Sequence, residues 1–527
     1  MKVDRFGVFE CAFQASGRYE NPYVQVEAEA ILRSPQGEFK RIPLFWDGGD
    51  VWRLRFSPDT VGVWRYRVQS ADAGLASGQG LFECIPSSRH GSIEPMAHYP
   101  HHFQYQNGEP FFWMGDTGWR TFATCPEENL TRETVLHYID ERSAQGFSYI
   151  HVELMGGLGQ DGQQHVMWDF HEETLNPAFF QEVDVRLQYM HAKNIICGIV
   201  LAWANGKESW SAFASTEARR RYARYVVARY SAYEVMFIAS GEWDLSGRDT
   251  KPWYLAIGQE LMDTDPHNRM RAIHPCRGYT IREFSEEPWL SFGDYQQAYE
   301  APADREATAP QRHALRSQLL ASKVYGKPVV NAEFAYYLRK MGAERNYNRF
   351  AIDGVDKPHS HTRMSFRRAC WSLAMAGGYF VAAFGTTYYG GWRELGPFDV
   401  DAAKNDEAES DLSILAQFFR GLPWWRLQVN DSLVRGNGGN CYCLSELRER
   451  YVVFAEECDA LQLNLCAGPQ GIYNYRPDAE DIADYEVQLF DPRSGESKPY
   501  GTFRGTETID VTLPDRQDWV LLVNRRS

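Results

Sequence analysis

Two glutamates that follow short apolar runs could together hydrolyse a glycosidic bond. Glu242 follows the run 235–239 and Glu333 follows the run 328–330, and the two glutamates lie 91 residues apart. Retaining hydrolysis needs a carboxylic acid that protonates the leaving oxygen and a carboxylate that attacks the sugar carbon. Barrel folds carry such side chains at the ends of their strands. If both runs are strands of one barrel, the sequence predicts a retaining O-glycosyl hydrolase.

The two glutamates are predicted to have different roles in a double displacement. Glu242 is the predicted acid/base, because an apolar wall such as Trp243 would raise its pKa. Glu333 is the predicted nucleophile, kept ionised by hydrogen bonds. Candidate donors of these hydrogen bonds are Tyr295, Asn331 and Tyr388. We expect exo-action on a small oligosaccharide or glycoside.

Composition and charge narrow the class of partner. The chain has 527 residues, 44% of them hydrophobic and 24% charged, which predicts a folded protein of two or three domains. Its 16 Trp and 29 Tyr offer flat faces on which sugar rings stack, although strands and cores use the same residues. The net charge of −15 argues against nucleic acid and anionic membranes as partners. A small carbohydrate substrate is therefore expected, and a homo-oligomer is possible.

Residues 1–30 lack the pattern of a secretory signal, so a cytoplasmic location is expected. The longest apolar stretch, 371–385, is shorter than the roughly 18 residues that a membrane span needs. The ten cysteines are dispersed without zinc-type spacing, which predicts reduced thiols. No metal and no cofactor are expected.

The hydrophobic pattern changes twice along the chain. Residues 1–92 show short alternating runs separated by turn clusters, which predicts an N-terminal β-sandwich. Residues 93–425 alternate between strand-like and helix-like runs, as a (β/α)₈ TIM barrel does. A doubly wound sheet is the alternative, but no glycine-rich phosphate loop follows the first strand. Residues 426–527 return to period two, which predicts a second small β-sandwich. The eight predicted barrel strands are 111–116, 148–154, 194–202, 235–239, 271–276, 289–292, 329–332 and 379–384.

Substrate contacts in a barrel come from the C-terminal ends of the strands. Strands four and seven face each other across the barrel, so Glu242 and Glu333 could approach a small ligand from opposite sides. The other polar and aromatic residues predicted at these ends, in strand order, are Asp116, Trp119, His151, Glu153, Trp203, Trp243, His274, Asp294, Tyr295, Gln297, Tyr336, Tyr388 and Trp392. Any one of the carboxylates, Asp116 and Glu153 above all, could equally be a structural ion-pair partner.

The motif Phe112-Trp-Met-Gly-Asp-Thr-Gly-Trp119 resembles the opening of barrels in the apiosidase-like (DUF4038-type) family of glycoside hydrolases. Residues 6–84 are similar to the DUF5060-type β-sandwich that precedes such barrels, and the C-terminal sandwich resembles a module named for presumed collagen binding. The resemblance implies a catalytic carboxylate on strand four, commonly in Gly-Gly-Asp, and a glutamate on strand seven. Here strand four ends in Ser240-Gly241-Glu242, and Glu333 matches the strand-seven position.

Two other functions fit parts of the pattern. A metal-dependent hydrolase could use His151, Glu153 and His274 as ligands, but the His-x-His usual on the first strand of such barrels is missing. A non-catalytic carbohydrate-binding protein would explain the aromatic-rich sandwiches. The presence of both candidate carboxylates argues against that reading.

Overall fold

The computed structural model describes most of the chain. The described residues are 1–155, 165–276, 281–296, 309–333, 336–337, 349–352, 355–358, 363–384, 387, 397–401, 403–465, 483–505 and 508–526. They contain β-strands β1–β33 and helices α1–α9, whose bounds are given below. None of the helices within these ranges is long and apolar enough to cross a membrane.

Eight parallel strands form the central sheet and confirm the predicted TIM barrel. In chain order these are β12 (Gly115–Thr117), β13 (Tyr149–Glu153), β16 (Ile196–Val200), β17 (Val235–Ile238), β18 (Arg271–Ala272), β19 (Gly293–Gln296), β20 (Val329–Glu333) and β24 (Tyr379–Phe384). Counted as barrel strands one to eight, they are hydrogen-bonded in the order 5-4-3-2-1-8-7-6. The backbone N–H of Ser291 donates to the carbonyl of Arg271 at 2.8 Å and links the edges at strands five and six.

Among the described residues, an α-helix follows every barrel strand except strand five, and these helices cover the outside of the sheet. They are α3 (Arg132–Ala144), α4 (Pro177–Ala192), α5 (Thr216–Tyr230), α6 (Lys251–Thr264), α7 (Ala309–Ser322), α8 (Arg363–Ala374) and α9 (Ala403–Arg420). Local sequence sets several helix starts. The side chain of Thr131 caps α3, that of Asn176 caps α4 ahead of a proline, and that of Ser215 caps α5.

Barrel strand six lies four residues later than predicted. The segment 289–292 was expected to be the strand because it is apolar, but the strand is Gly293–Gln296. Trp289 instead packs against α6, where a Cβ added at Gly258 would lie 2.3 Å from the indole ring. Asp294 and Tyr295 are therefore within the strand, and the apolar residues before it belong to the layer between strand and helix.

The N-terminal region is β-rich, as predicted. One sheet has the order β1-β8-β7-β3-β4 and the other β2-β6-β5. Their bounds are β1 (Lys2–Asp4), β2 (Phe9–Gln14), β3 (Ala28–Arg33), β4 (Phe39–Pro43), β5 (Phe45–Trp46), β6 (Val51–Phe56), β7 (Gly62–Ser70) and β8 (Gln79–Ile85), with the short helices α1 (Pro22–Gln25) and α2 (Ala73–Ala76). Arg55 of β6 reaches the barrel, where its guanidinium pairs with Asp184 of α4 at 2.9 Å.

The C-terminal region also consists of two sheets, with the orders β25-β27-β28-β33-β30-β31 and β26-β29-β32. Their bounds are β25 (Gln428–Val429), β26 (Val434–Gly436), β27 (Cys441–Glu446), β28 (Arg450–Ala455), β29 (Ala460–Asn464), β30 (Asp484–Phe490), β31 (Ser497–Arg504), β32 (Thr508–Thr512) and β33 (Trp519–Arg525). Before barrel strand one, β9 (Ile93–Pro95), β10 (Phe103–Tyr105) and β11 (Pro110–Phe111) form a three-stranded sheet. In the barrel connections, β14 (Met167–Asp169) pairs with β15 (Thr174–Leu175), β22 (Arg349–Ile352) pairs with β23 (Val355–Pro358), and β21 (Tyr336–Tyr337) pairs with β24. The domain limits 1–92, 93–425 and 426–527 stay predictions.

Candidate active site

Glu242 lies in a strained turn just beyond barrel strand four. Its backbone is left-handed, with φ of 41° and ψ of 49°, a conformation that is costly for a side chain other than glycine. The indole N–H of Trp203, at the end of strand three, donates to Oε2 of Glu242 at 3.2 Å. A Cβ added at Gly241 would lie 2.3 Å from the same indole ring. The glycine of Ser-Gly-Glu thus lets Trp203 approach closely.

The environment of Glu242 raises the pKa of its carboxyl. Burial is the main cause, and the negative charge of Glu333 raises the pKa further. His274 and the Trp203 hydrogen bond act in the opposite direction, but the net shift is upward. Glu242 therefore keeps its proton to a higher pH than an ordinary glutamate does, which is the direction that a general acid needs.

Glu333 is the last residue of barrel strand seven and is 3% exposed. His274, just beyond strand five, lies with Nε2 at 3.2 Å from Oε2 of Glu333. The other ring nitrogen, Nδ1, lies 3.2 Å from Oδ1 of Asp294 on strand six. Burial lowers the pKa of His274, but the two carboxylates outweigh burial and raise it to about 10. His274 is therefore an imidazolium that donates to Asp294 and Glu333 at once.

Aromatic rings from three strand ends surround these groups. Trp119 lies 4.8 Å from the ring of His151 and 5.1 Å from that of Trp203, and His151 lies 5.9 Å from His274. Burial and the charge of His274 lower the pKa of His151 well below its usual value, so this ring is neutral. The predicted residues Trp119, His151, Trp203 and His274 thus form one contiguous cluster beside the two glutamates.

Glu153, at the end of strand two, is half-buried. Its pKa is raised to about 7, mainly by burial. The charge of Glu208 adds to this rise, and the charge of Arg120 opposes it. The side chain of Glu208 in turn pairs with His165. Glu153 is therefore a carboxyl that can be neutral at physiological pH, on the same end of the barrel as the two catalytic candidates.

The structure places Asp116 away from this group, which corrects the prediction that it contacts substrate. Asp116 points outward to α3, where Oδ2 accepts hydrogen bonds from Tyr138 at 2.7 Å and from Arg142 at 2.5 Å. Its side chain is 0% exposed. Side chains alternate between the two faces of a strand, and Thr117 rather than Asp116 lies in register with His151. Asp116 is the structural ion-pair partner that was the alternative.

Two other predicted contacts are also corrected. Trp243 is buried against Phe284 at 4.9 Å and Tyr254 at 6.1 Å, so its ring lies in the helix layer and Trp203 lines Glu242 instead. The Tyr295 hydroxyl is buried and makes no hydrogen bond within the described part of the chain, so it does not hold Glu333. Glu242 and Trp243 are consecutive residues whose side chains lie on different sides of the turn, since Glu242 contacts Trp203 and Trp243 packs against Phe284.

Some candidates lie outside the described residues, and one contact was not predicted. Gln297, Tyr388 and Trp392 fall outside those ranges, and Tyr336 is described only as backbone of β21. The thiol of Cys276 lies 3.8 Å from Oε1 of Glu242. Cys276 stands two residues after His274, so period-two alternation beyond strand five could have indicated that the two share a side. Asp294 acts on His274, a role that its place in the sequence did not suggest.

Family models match two parts of the chain. The model described as "Apiosidase-like, catalytic domain" matches residues 98–426, and a domain of unknown function, DUF5060, matches residues 2–71. These matches confirm the resemblance drawn from the opening barrel motif and from the first β-sandwich. The resemblance of the C-terminal region to a collagen-binding module stays a prediction. No match to a curated protein sequence was found.

Solved structures share the fold. A presumed glycoside hydrolase from Bacteroides vulgatus ATCC 8482 superposes with a TM-score of 0.78 at 18% identity, covering 100% of both chains. A glycoside hydrolase of family 5 from the same organism superposes with a TM-score of 0.66 at 17% identity, covering 82% of this chain and 93% of its own. At such identities the likeness shows the fold, including the flanking β-rich regions in the first case.

Proposed function

Because the chain belongs to the apiosidase-like family of glycoside hydrolases, we propose that it cleaves glycosides by a retaining double displacement. Glu333 is the nucleophile and Glu242 is the acid/base. The observation that carries this assignment is the asymmetry of the two carboxyls: Glu242 has a raised pKa, whereas Glu333 contacts the imidazolium of His274. The first step requires one protonated and one ionised carboxyl, and this difference in environment supports assigning the acid role to Glu242 and the nucleophile role to Glu333.

In the first step Oε of Glu333 attacks the anomeric carbon while Glu242 gives its proton to the leaving oxygen. The glycosidic C–O bond breaks, a glycosyl ester of Glu333 forms, and the released alcohol carries the proton from Glu242. Glu242 is then an anion and accepts the indole N–H of Trp203. Once Glu333 is esterified, its negative charge no longer raises the pKa of Glu242.

In the second step Glu242 takes a proton from water, which attacks the anomeric carbon and displaces Glu333. The ester bond breaks, the sugar leaves with its original anomeric configuration, and both carboxyls return to their starting charge states. His274 is a positioning residue for this cycle. Its ring contacts both Asp294 and Glu333, so Asp294 fixes the orientation of His274, and His274 in turn orients Glu333.

The proposed substrate is a small oligosaccharide or glycoside attacked from its end. The clustered rings of Trp119, Trp203 and His151 offer apolar surface for one sugar ring, and Glu153 offers a carboxyl for its hydroxyls. A panel of aryl glycosides of pentoses, deoxy sugars and hexoses would identify the sugar.

The test is the configuration of the first-formed product. Proton NMR of the anomeric signal during hydrolysis should show the substrate's own anomer before mutarotation, and the opposite anomer would overturn the retaining assignment. Glu333→Gln should reduce turnover by about 10⁴-fold or more while far-UV circular dichroism stays unchanged. A matched control is Glu109→Gln, an exposed glutamate remote from the strand ends, which should keep full activity.

The rival functions make different predictions for the same residues. A metal-dependent hydrolase would need His274 as a ligand, yet both of its ring nitrogens face carboxylates and its pKa is raised. Turnover is therefore expected to be unaffected by a chelator. A non-catalytic binding protein would bind glycosides and release no product across the same panel.

A further inference from the structure

One face of the N-terminal sandwich combines unpaired positive charge with exposed apolar side chains. We call it the arginine face; it lies on the outer side of the sheet formed by β1, β8, β7, β3 and β4. Its defining residues are Arg33, Phe39, Val63, Arg65, Arg67 and Leu81, all of them exposed. None of them belongs to the catalytic cluster.

Strand register places the arginines side by side. Arg33 of β3 is directly opposite Arg65 of β7, and Arg67 follows two residues later on the same side of the strand. Like charges directly opposite each other in a sheet are destabilising. Neither Arg33 nor Arg65 has a carboxylate within 4.0 Å among the described residues. The fold therefore keeps a pair of arginines whose charges are not neutralised by the protein.

Two acidic residues of the same face already form ion pairs with other basic residues. Glu29 pairs with Arg41 at 2.7 Å, and Glu83 pairs with Lys2 at 3.7 Å. The whole chain has a net charge of −15, but residues 1–92 contain eleven Lys and Arg and eleven Asp and Glu. The excess negative charge therefore lies elsewhere in the chain, and an anion meets least repulsion at this domain.

A groove of about 350 Å³ lies between the two arginines. Its lining residues are Arg33, Ser34, Pro35, Gly37, Val63 and Arg65. The turn that forms one wall is held by backbone hydrogen bonds from Ser34 to Glu38 at 2.8 Å and from Gly37 to Ser34 at 3.0 Å. A Cβ added at Gly62 would lie 2.9 Å from the ring of Pro35, so the two strands' ends are tightly packed. These hydrogen bonds and this close packing fix the shape of the groove.

Apolar surface adjoins the arginines. Phe39 is 69% exposed, Leu81 54% and Val63 45%, and these are among the few large hydrophobic side chains that the described chain exposes. The guanidinium of Arg33 lies 5.9 Å from the centre of the Phe39 ring. A ligand that satisfies this face needs both an anionic group for the guanidiniums and a flat apolar face for the ring.

We propose that the arginine face binds a carboxylate-bearing oligosaccharide, such as one that contains uronic acid residues. Guanidinium groups pair bidentately with carboxylates, and the exposed ring of Phe39 offers a stacking surface for the sugar. A sugar acid joins both requirements in one residue. The inference rests on the chain being a glycoside hydrolase and is independent of the assignment of Glu242 and Glu333.

The test is calorimetric titration of the full chain with an oligogalacturonide of defined length at low salt. Binding should weaken as salt rises, and the methyl-esterified form of the same oligosaccharide should bind at least about tenfold more weakly, because it lacks the charge. Arg33→Gln with Arg65→Gln should weaken binding by about tenfold or more. Arg41→Gln is the matched control, since Arg41 lies on the same sheet face and is paired with Glu29.

Several outcomes would overturn the proposal. Equal binding of the esterified oligosaccharide, or unchanged binding to the double variant, would show that the arginines do not recognise carboxylate. A change in oligomeric state in the double variant, by sedimentation and without any oligosaccharide binding by the unaltered protein, would make the face a self-association surface instead. Hydrolysis of a small aryl glycoside should be the same in the double variant and the unaltered enzyme, which separates this test from that of the catalytic residues.

Discussion

At the scale of single residues, the site depends on neighbouring side chains that give two glutamates different environments. Glu242 and Glu333 are the same residue type, yet burial and its partner's charge raise the pKa of Glu242, and His274 lies against Glu333. Asp294 stabilises the positive charge of His274. The roles of the two glutamates thus depend on four side chains, which reach the site from four different strands.

His274→Gln should lower kcat/KM by about 10²-fold, because Glu333 loses the cationic group that contacts and orients it. The measurement is steady-state kinetics on an aryl glycoside, with far-UV circular dichroism to check the fold. Asp294→Asn, which removes the carboxylate that holds the other ring nitrogen of His274, should lower kcat/KM by less. Unchanged kcat/KM in both variants would show that His274 only packs.

Glu242→Gln should lower kcat on a glycoside with a poor leaving group by about 10³-fold. A glycoside with a dinitrophenolate leaving group needs little protonation, so its first step should be nearly unchanged. The alkaline limb of the pH profile, along which activity falls as Glu242 loses its proton, should disappear. Burst kinetics with the activated substrate measure both steps. An equal loss with both leaving groups would contradict the acid role.

At the scale of elements, short turns beyond the strands aim the catalytic side chains. Strand four ends at Ile238, and the left-handed turn at Glu242 then directs the carboxyl to Trp203 and the next ring, Trp243, into the helix layer. A period-two extrapolation past the strand end cannot foresee such a turn. The same is true of strand six, where the apolar run serves packing against α6 and the strand itself is polar.

Gly241→Ala tests this arrangement of strand three and strand four. The added Cβ would lie 2.3 Å from the Trp203 ring, so the ring must shift from Glu242. We expect a loss of about 1–3 kcal/mol in the free energy of unfolding and a fall in kcat of tenfold or more. Urea denaturation and steady-state kinetics are the measurements. Gly421→Ala, where an added Cβ meets backbone oxygens no closer than 3.4 Å, is the control that should change neither.

At the scale of the whole molecule, the N-terminal sandwich is joined to the barrel by a buried ionic network. Arg55 of β6 pairs with Asp184 of α4 at 2.9 Å, and Asp184 also pairs with Arg229 of α5 at 2.6 Å. Arg55 in addition donates to the backbone carbonyl of Arg229 at 2.7 Å. A charge buried at such an interface is costly once its partner is removed. The two regions should therefore unfold together.

Arg55→Met should lower the free energy of unfolding by about 3 kcal/mol, because Asp184 and Glu10 lose a charged partner. The measurement is the urea midpoint followed by tryptophan fluorescence, since both regions contain buried tryptophans. Arg67→Met, on the exposed outer sheet, is the control and should change stability by less than about 0.5 kcal/mol. Two separate transitions in the unaltered protein would contradict the coupling.

The sequence by itself determined the barrel, the β-rich flanks, the family and the candidate pair of glutamates. These depend on periodicity, on helix caps such as Thr131 and on a short motif, all of which are local properties of the chain. Only the tertiary structure decided which strand-end residues meet. Asp116 and Trp243 proved to face the helices, while His274 contacts Glu333 with one ring nitrogen and Asp294 with the other. Side-chain direction at a strand end depends on the turn that follows, and pKa shifts depend on charges brought together from distant parts of the chain. Neither quantity is encoded within any single segment.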